Sequence, residues 1–329
     1  MKTLKSGMTR REYLLATGAG IVAAHMGSLG PAFAATPVRQ GYQTNMWGMP
    51  TYYLVQSGLL EKHGLEVEEF PVPSGNLTMQ QMVARQVDLG TYAGPSFMIG
   101  HDKGDLVAIA VIENVGRTAR VMARPDITRM EDLKGKKIAN QSGSSVGNIF
   151  VDQVMPKYGL MPGDYEEIRT NVNDMVAALS TNTVDAMVNV EPYNAIAQAE
   201  GIAAPLVDFY DFDKLPVFMA ATPEWLDANP DAAVEYLKAW LEVAGDFKNN
   251  LDKVAATIFA FYSDKGYDMS EETFKNALAT VEVDPGWPEG LEDYMTHHAE
   301  VLLKTDKISK IPDFGTAFRK EYMEKAMSS

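Results

Sequence analysis

The chain has 329 residues, no cysteine and a formal net charge of -15 at pH 7. The missing cysteines exclude disulfide frameworks, thiolate nucleophiles and Cys-based zinc sites together, so the fold must stand on its core; with 46% hydrophobic residues there is chain enough for one large or two medium domains. The acidic balance argues against nucleic acid and anionic membrane surfaces, which are recognised by clustered Lys and Arg, but leaves a small anion open, because backbone N–H groups can hold one regardless of overall charge.

Residues 1–34 have the layout of a secretory leader. Thr9-Arg10-Arg11-Glu12-Tyr13-Leu14-Leu15 leads into an apolar run to about Leu29, and Ala32-Phe33-Ala34 precedes Ala35. A charged start, a short apolar core and a small-x-small cleavage site define such a leader, and the paired arginines give it the twin-arginine form. The mature chain is therefore expected to begin near Ala35 and to work in the periplasm. Gly18-Ala19-Gly20 lies inside the leader and is no part of a dinucleotide fingerprint. Beyond it no apolar run approaches the ~18 residues of a membrane span.

From Val38 to Val111 short apolar runs alternate with stretches of helical period, the rhythm of βαβ units. Val38 to Tyr42 is a candidate strand, Tyr52 to His63 a helix stopped by Gly64, and Leu65 to Phe70 a second strand. After Ser74-Gly75-Asn76, residues Met79, Met82, Val83 and Val87 recur at helical spacing. Asp88 to Ala93 and Leu106 to Val111 read as strands around a short helix from Ser96 to about Lys103. The sheet is expected to be mainly parallel.

The rhythm restarts after Arg124-Pro125. Lys137 to Asn140 is a strand running into Gln141-Ser142-Gly143-Ser144-Ser145, and Val146, Ile149, Phe150, Val154 and Tyr158 mark one face of a helix ending at Gly159. Tyr165 to Arg169 and Asp185 to Val190 are strands, with a helical face of Val172, Met175, Val176 and Leu179 between them. From Val217 one last strand precedes an almost wholly helical tail, whose faces include Val234, Leu237 and Leu241, then Tyr294, Met295, His298 and Leu302. Such a tail has no sheet of its own and needs a partner surface, which the first unit supplies. The expected division is residues 35–122 as a first lobe, 123–216 as a second lobe inserted through two crossovers, and 217–329 as a return strand and helical tail on the first.

At this point the chain resembles the solute-binding proteins of ABC importers, in the taurine, alkanesulfonate, nitrate and thiamine-precursor branch. The resemblance is carried by Leu59-Leu60-Glu61-Lys62-His63-Gly64-Leu65-Glu66-Val67, by Met130-Glu131-Asp132-Leu133-Lys134-Gly135-Lys136-Lys137-Ile138, by the Gln141 to Ser145 loop, and by Val184-Asp185-Ala186 with Glu191-Pro192-Tyr193. It covers about residues 38 to 225. It implies an α/β, two-lobed periplasmic binding protein fold of type II, with a small-molecule ligand in the cleft, the membrane subunits of an ABC permease as partners, a monomeric state and no cofactor. Relatives commonly carry an aromatic before the acid of the last motif, where this chain has Asn189-Val190-Glu191, and Gln43-Thr44-Asn45-Met46-Trp47-Gly48 is unusual after a first strand. These departures concern the ligand.

The best ligand loop on physical grounds is Ser142-Gly143-Ser144-Ser145, where free N–H groups, hydroxyls and the positive end of a helix dipole converge. A Ser at such a place is ordinarily an N-cap, but four small polar residues exceed what a cap needs. Ser74 with Asn76, and Gly94 with Ser96, hold equivalent places in the first unit, just beyond the carboxyl ends of strands. Asn45, Trp47 and Tyr193 add polar and aromatic groups near loops, although core packing is the commoner role of an aromatic. Glu191 and Glu113 each follow an apolar strand and could meet an amine, while structural salt bridges are the expected role of Arg117 and Arg120. His298 falls on the apolar face of its helix, the place of a satisfied core histidine.

These parts favour a receptor that closes two lobes on a small organic anion, sulfonate-like or nitrate-like, and does no chemistry on it. A flat heterocycle such as an aminopyrimidine would also suit Trp47 and Glu191. The competing class is an enzyme of pyrimidine or menaquinone precursor synthesis on the same scaffold. No H-E-x-x-H or P-loop is present to supply its chemistry.

Overall fold

The computed structural model describes residues 35–142, 144–264, 266 and 268–329; the expected leader and Gly143 lie outside this set. In chain order the strands are β1 (Thr36–Gln43), β2 (Leu65–Val72), β3 (Leu89–Ala93), β4 (Val107–Asn114), β5 (Arg120–Ala123), β6 (Lys137–Asn140), β7 (Glu166–Arg169), β8 (Ala186–Asn189), β9 (Ala204–Asp208), β10 (Pro216–Ala221) and β11 (Glu282–Gly286). They form two sheets, ordered β11-β4-β10-β3-β1-β2 and β7-β6-β8-β5-β9.

Neither sheet is mainly parallel as expected. β1 runs parallel to β2 and β3, and β6 to β7 and β8, because helices return the chain to the same end. β10 is antiparallel to β3 and β4, and β5 to β8 and β9. These two strands arrive from the opposite lobe without a helical return, so they enter from the other end. The expected boundary after residue 122 accordingly falls inside β5: Arg120 already pairs with Asn189 in the second sheet, and the first crossover is the stretch from Val115 to Ala119.

Two further differences have local causes. The helix expected from Tyr52 to His63 is split into Met49–Gln56 and Leu59–Lys62, because Gly58 takes a φ of 76° between them. The tail, expected to carry no strand after its first, contributes β11 to the edge of the first sheet. An edge position tolerates Pro285, since the outer side of the strand has no ladder to complete.

The core follows from strand alternation. Val217, Met219 and Ala221 of β10 point to one side of the first sheet, Phe218 and Ala220 to the other. On the first side the helix Pro230–Asn249 presents Ala233, Tyr236, Leu237, Trp240 and Val243, a spacing of three and four that makes one apolar stripe. On the second side Phe97, Phe218 and Phe318 stack with ring centres 5.1 to 5.8 Å apart. The tail thus covers both faces of the first sheet, with the helix Leu291–Lys304 lying against Gly94–Gly104.

Candidate functional site

The two crossovers run side by side. Val115 N donates to Leu215 O at 3.2 Å and Gly116 N to Lys214 O at 2.8 Å, while Phe209 N donates to Gly116 O and Ala119 O. They approach so closely that a Cβ on Gly116 would lie 2.4 Å from the carbonyl oxygen of Asp213. Thr118 gathers both lobes onto this strip: its hydroxyl accepts from Trp47 Nε1 at 2.8 Å and donates to Val115 O, and its carbonyl accepts from Glu191 N and Asn194 Nδ2.

Beside the strip lies a cavity of about 590 Å³. One wall is Ala93, Gly94, Pro95 and Ile99, from the end of β3 and the start of the helix Gly94–Gly104. The facing wall is Ser145, Asn148, Ile149, Asp152 and Gln153, from the helical run beginning at Ser145, and Leu215 with Pro216 closes the crossover side. The last wall comes from the tail: Tyr294, His297, His298, Val301, Leu302 and Lys307. The cavity therefore sits where strands end and helices begin in both lobes, the position at which open α/β sheets hold ligands, and its size suits a small molecule.

Hydrogen-bond donors converge on it. The 11-residue helix from Gly94 turns its free N–H groups toward the end of β3, and His297, His298 and Lys307 lie on the tail wall. Asp152 is the acid among the lining residues. Asp213 stands behind the wall with its side chain buried, and accepts from Tyr294 Oη and Leu215 N, each at 2.8 Å. Burial, with Asp213 adding to it, pushes the Tyr294 phenol far above its ordinary range, so it stays a neutral donor.

Of the residues singled out in the sequence, Gly94 and Ser145 line this cavity. Asn45 caps a short 3-10 turn, its side chain accepting from Trp47 N at 3.0 Å, and Trp47 is engaged with Thr118. Ser74 is the N-cap of the helix Gly75–Val83 but makes no side-chain cap bond, and Asn76 is exposed. Ser96 sits in the first turn of its helix outside the lining. Ser142 donates to Glu167, and Ser144 performs the ordinary cap role by accepting from Gly147 N at 3.0 Å. Tyr193 donates to Asn173 Oδ1.

Glu191 does not face the cavity. Its side chain is 1% exposed, with Oε1 3.2 Å from Arg120 Nη1 and Oε2 accepting from Ala195 N at 2.9 Å. Burial raises its carboxyl above the ordinary range, while Arg120 and the Ala195 N–H pull it back. Arg120 thus forms the structural ion pair expected of it. Arg117 forms none among the described residues and lies over the Tyr210 ring, 3.8 Å from its centre. His298 is the other correction. It lines the cavity with Asp213 behind it, because the face bearing Tyr294 and His298 meets the return crossover, a neighbour no helical periodicity identifies.

The chain is similar to several known proteins. A protein of Brucella abortus (strain 2308) named as a binding protein is 30% identical over 221 residues, covering 64% of this chain and 67% of the relative. The periplasmic aliphatic sulphonate binding protein SsuA from Escherichia coli superposes with a TM-score of 0.74 at 20% identity, covering 86% of this chain and 92% of that one. The fold is thus that of the two-lobed periplasmic binding proteins. A more distant relative, 20% identical over 254 residues and covered at 72% on both sides, is 4-amino-5-hydroxymethyl-2-methylpyrimidine phosphate synthase of Schizosaccharomyces pombe. Residues 45–252, from the loop after β1 through the helix Pro230–Asn249, match the NMT1/THI5 like model, and the chain belongs to that family.

Proposed function

We propose that this chain is the periplasmic substrate-binding component of an ABC importer, capturing a small organic anion of the sulfonate kind and handing it to the membrane subunits of a permease. The observation that carries the reading is the cavity of about 590 Å³, walled by helix starts from both lobes and by three basic side chains of the tail. Gly94 and Ser145 are the sequence-identified residues assigned to the ligand. Closure about the paired crossovers encloses it. The leader of residues 1–34 delivers the folded chain by the twin-arginine route. Membership of the family and the likeness to binding proteins support the reading.

The receptor reading is preferred to an enzyme because the cavity joins groups that hold an anion and because the relative of higher identity is named as a binding protein. Thermal unfolding of ligand-stripped protein against taurine, alkanesulfonates, nitrate, small carboxylates and aminopyrimidines tests it. A ligand at a hundred times its dissociation constant stabilises by about 2.7 kcal/mol. A shift confined to anions, with the ligand released unchanged, supports the proposal; a shift with aminopyrimidines alone, or turnover of the bound molecule, overturns it.

A further inference from the structure

The tail wall of the cavity holds a histidine backed by a buried acid. His298 Nε2 lies 3.3 Å from Asp213 Oδ2. Asp213 Oδ1 is occupied by Tyr294 and Leu215, whereas Oδ2 receives no aligned hydrogen bond, so His298 meets it as an electrostatic contact. Tyr294 packs on the imidazole with ring centres 4.5 Å apart, holding it from a second side. The His298 side chain remains 20% exposed, in a residue that lines the cavity, and Nδ1 has no partner among the described residues.

We propose that His298 is the anion-recognising side chain of the cavity: its Nδ1–H, present when the ring is charged, meets the sulfonate or carboxylate of the ligand, and Asp213 holds the ring at the wall. This rests on the receptor reading and deepens it. The titratable groups around His298 are consistent with that role. Asp213 meets it from the return crossover and Tyr294 and His297 from its own helix, while Asp152 of the second lobe and Lys307 of the segment that follows line the same cavity. From the packed helix Gly94–Gly104, His101 is turned away, its Nδ1 donating to Leu106 O at 2.9 Å. Histidine changes charge between about pH 5 and 8, a range in which a sulfonate does not titrate. Anion binding should therefore take up a proton and tighten as the pH falls.

The test is calorimetric titration of the full chain with methanesulfonate and taurine at about pH 5.5 and 8. Expected is a dissociation constant about tenfold lower at the acid end, and His298→Gln that binds weakly with no pH step. A wild-type affinity equal at both pH values, or a pH step that survives in His298→Gln, overturns the inference and leaves the receptor reading standing. Binding of no anion at either pH overturns both. Should the variant fail to fold, NMR titration of the His298 ring in the wild type decides: sulfonate must move its titration midpoint upward, and an unmoved midpoint overturns the inference.

Discussion

Trp47 and Thr118 join the loop after the first strand to the first crossover, the indole Nε1 donating to the hydroxyl at 2.8 Å. The bond links a part of the first lobe to the strip where the two crossovers run side by side. Trp47→Phe keeps most of the aromatic body and deletes the donor, and is expected to cost about 1 kcal/mol. Urea unfolding measures it. A double-mutant cycle with Thr118→Val should return a coupling of about 0.5 to 1.5 kcal/mol, and no coupling would show that the bond does not fasten the loop.

Arg120 and Glu191 are a buried pair in the second lobe, with Glu191 the more deeply enclosed. Arg120→Met leaves the carboxylate without its counter-charge and is expected to cost about 3 to 5 kcal/mol. The double variant Arg120→Met with Glu191→Leu should recover most of that loss. Denaturant midpoints of the three variants check the order, and equal losses in single and double variants would contradict it.

Glu113 carries a pH dependence. It is fully buried on β4, paired across the sheet with Val217 and Val283, and neither carboxyl oxygen has a hydrogen-bond partner among the described residues. Burial pushes it well above its ordinary value of 4.5, so it is held as the neutral acid. A raised folded-state value means that the unfolded chain loses this proton first. The stability permitted by Glu113 is therefore fully present below about pH 4.5 and declines as the pH rises toward the folded value. Glu113→Gln removes that decline, and its advantage over wild type should grow between about pH 5 and 8. Urea midpoints across that range measure it; a difference that does not change with pH would count against the neutral acid.

Corresponding loops of the two lobes are shaped by glycine. A Cβ on Gly48 would lie 1.7 Å from Gln43 O, and one on Gly147 would lie 2.3 Å from Gln141 O. Gly147→Ala must push the Gln141 to Ser145 loop aside, with an expected cost of about 1 to 3 kcal/mol and weaker ligand binding through displaced Ser145. Gly245 lies within the helix Pro230–Asn249 with open space around its Cβ position, so Gly245→Ala should stabilise by about 0.4 to 1 kcal/mol. Thermal unfolding of both variants compares them directly, and similar effects would refute the steric account.

The sequence by itself determined the α/β class, the succession of strands and helices apart from β9 and β11, and the family. Those are local properties: apolar spacing in the stretch from Met79 to Val87, the Met130 to Ile138 motif, and the Ser-rich start at Ser144-Ser145 act over a few residues. It also singled out Gly94 and Ser145, which line the cavity, since loops between a strand and a helix can be recognised one at a time. Tertiary structure alone decided the rest. The antiparallel entry of β5 and β10 depends on which end of a sheet a crossing chain reaches, and β11 needs a neighbour, Glu113, far away in sequence. The same holds for the site: Asp213 and His298 are 3.3 Å apart only because the tail helix returns to the crossover, and Glu191 turned inward because Arg120 begins the strand beside it. Periodicity places a side chain on a face, but what that face meets is fixed by packing between distant segments.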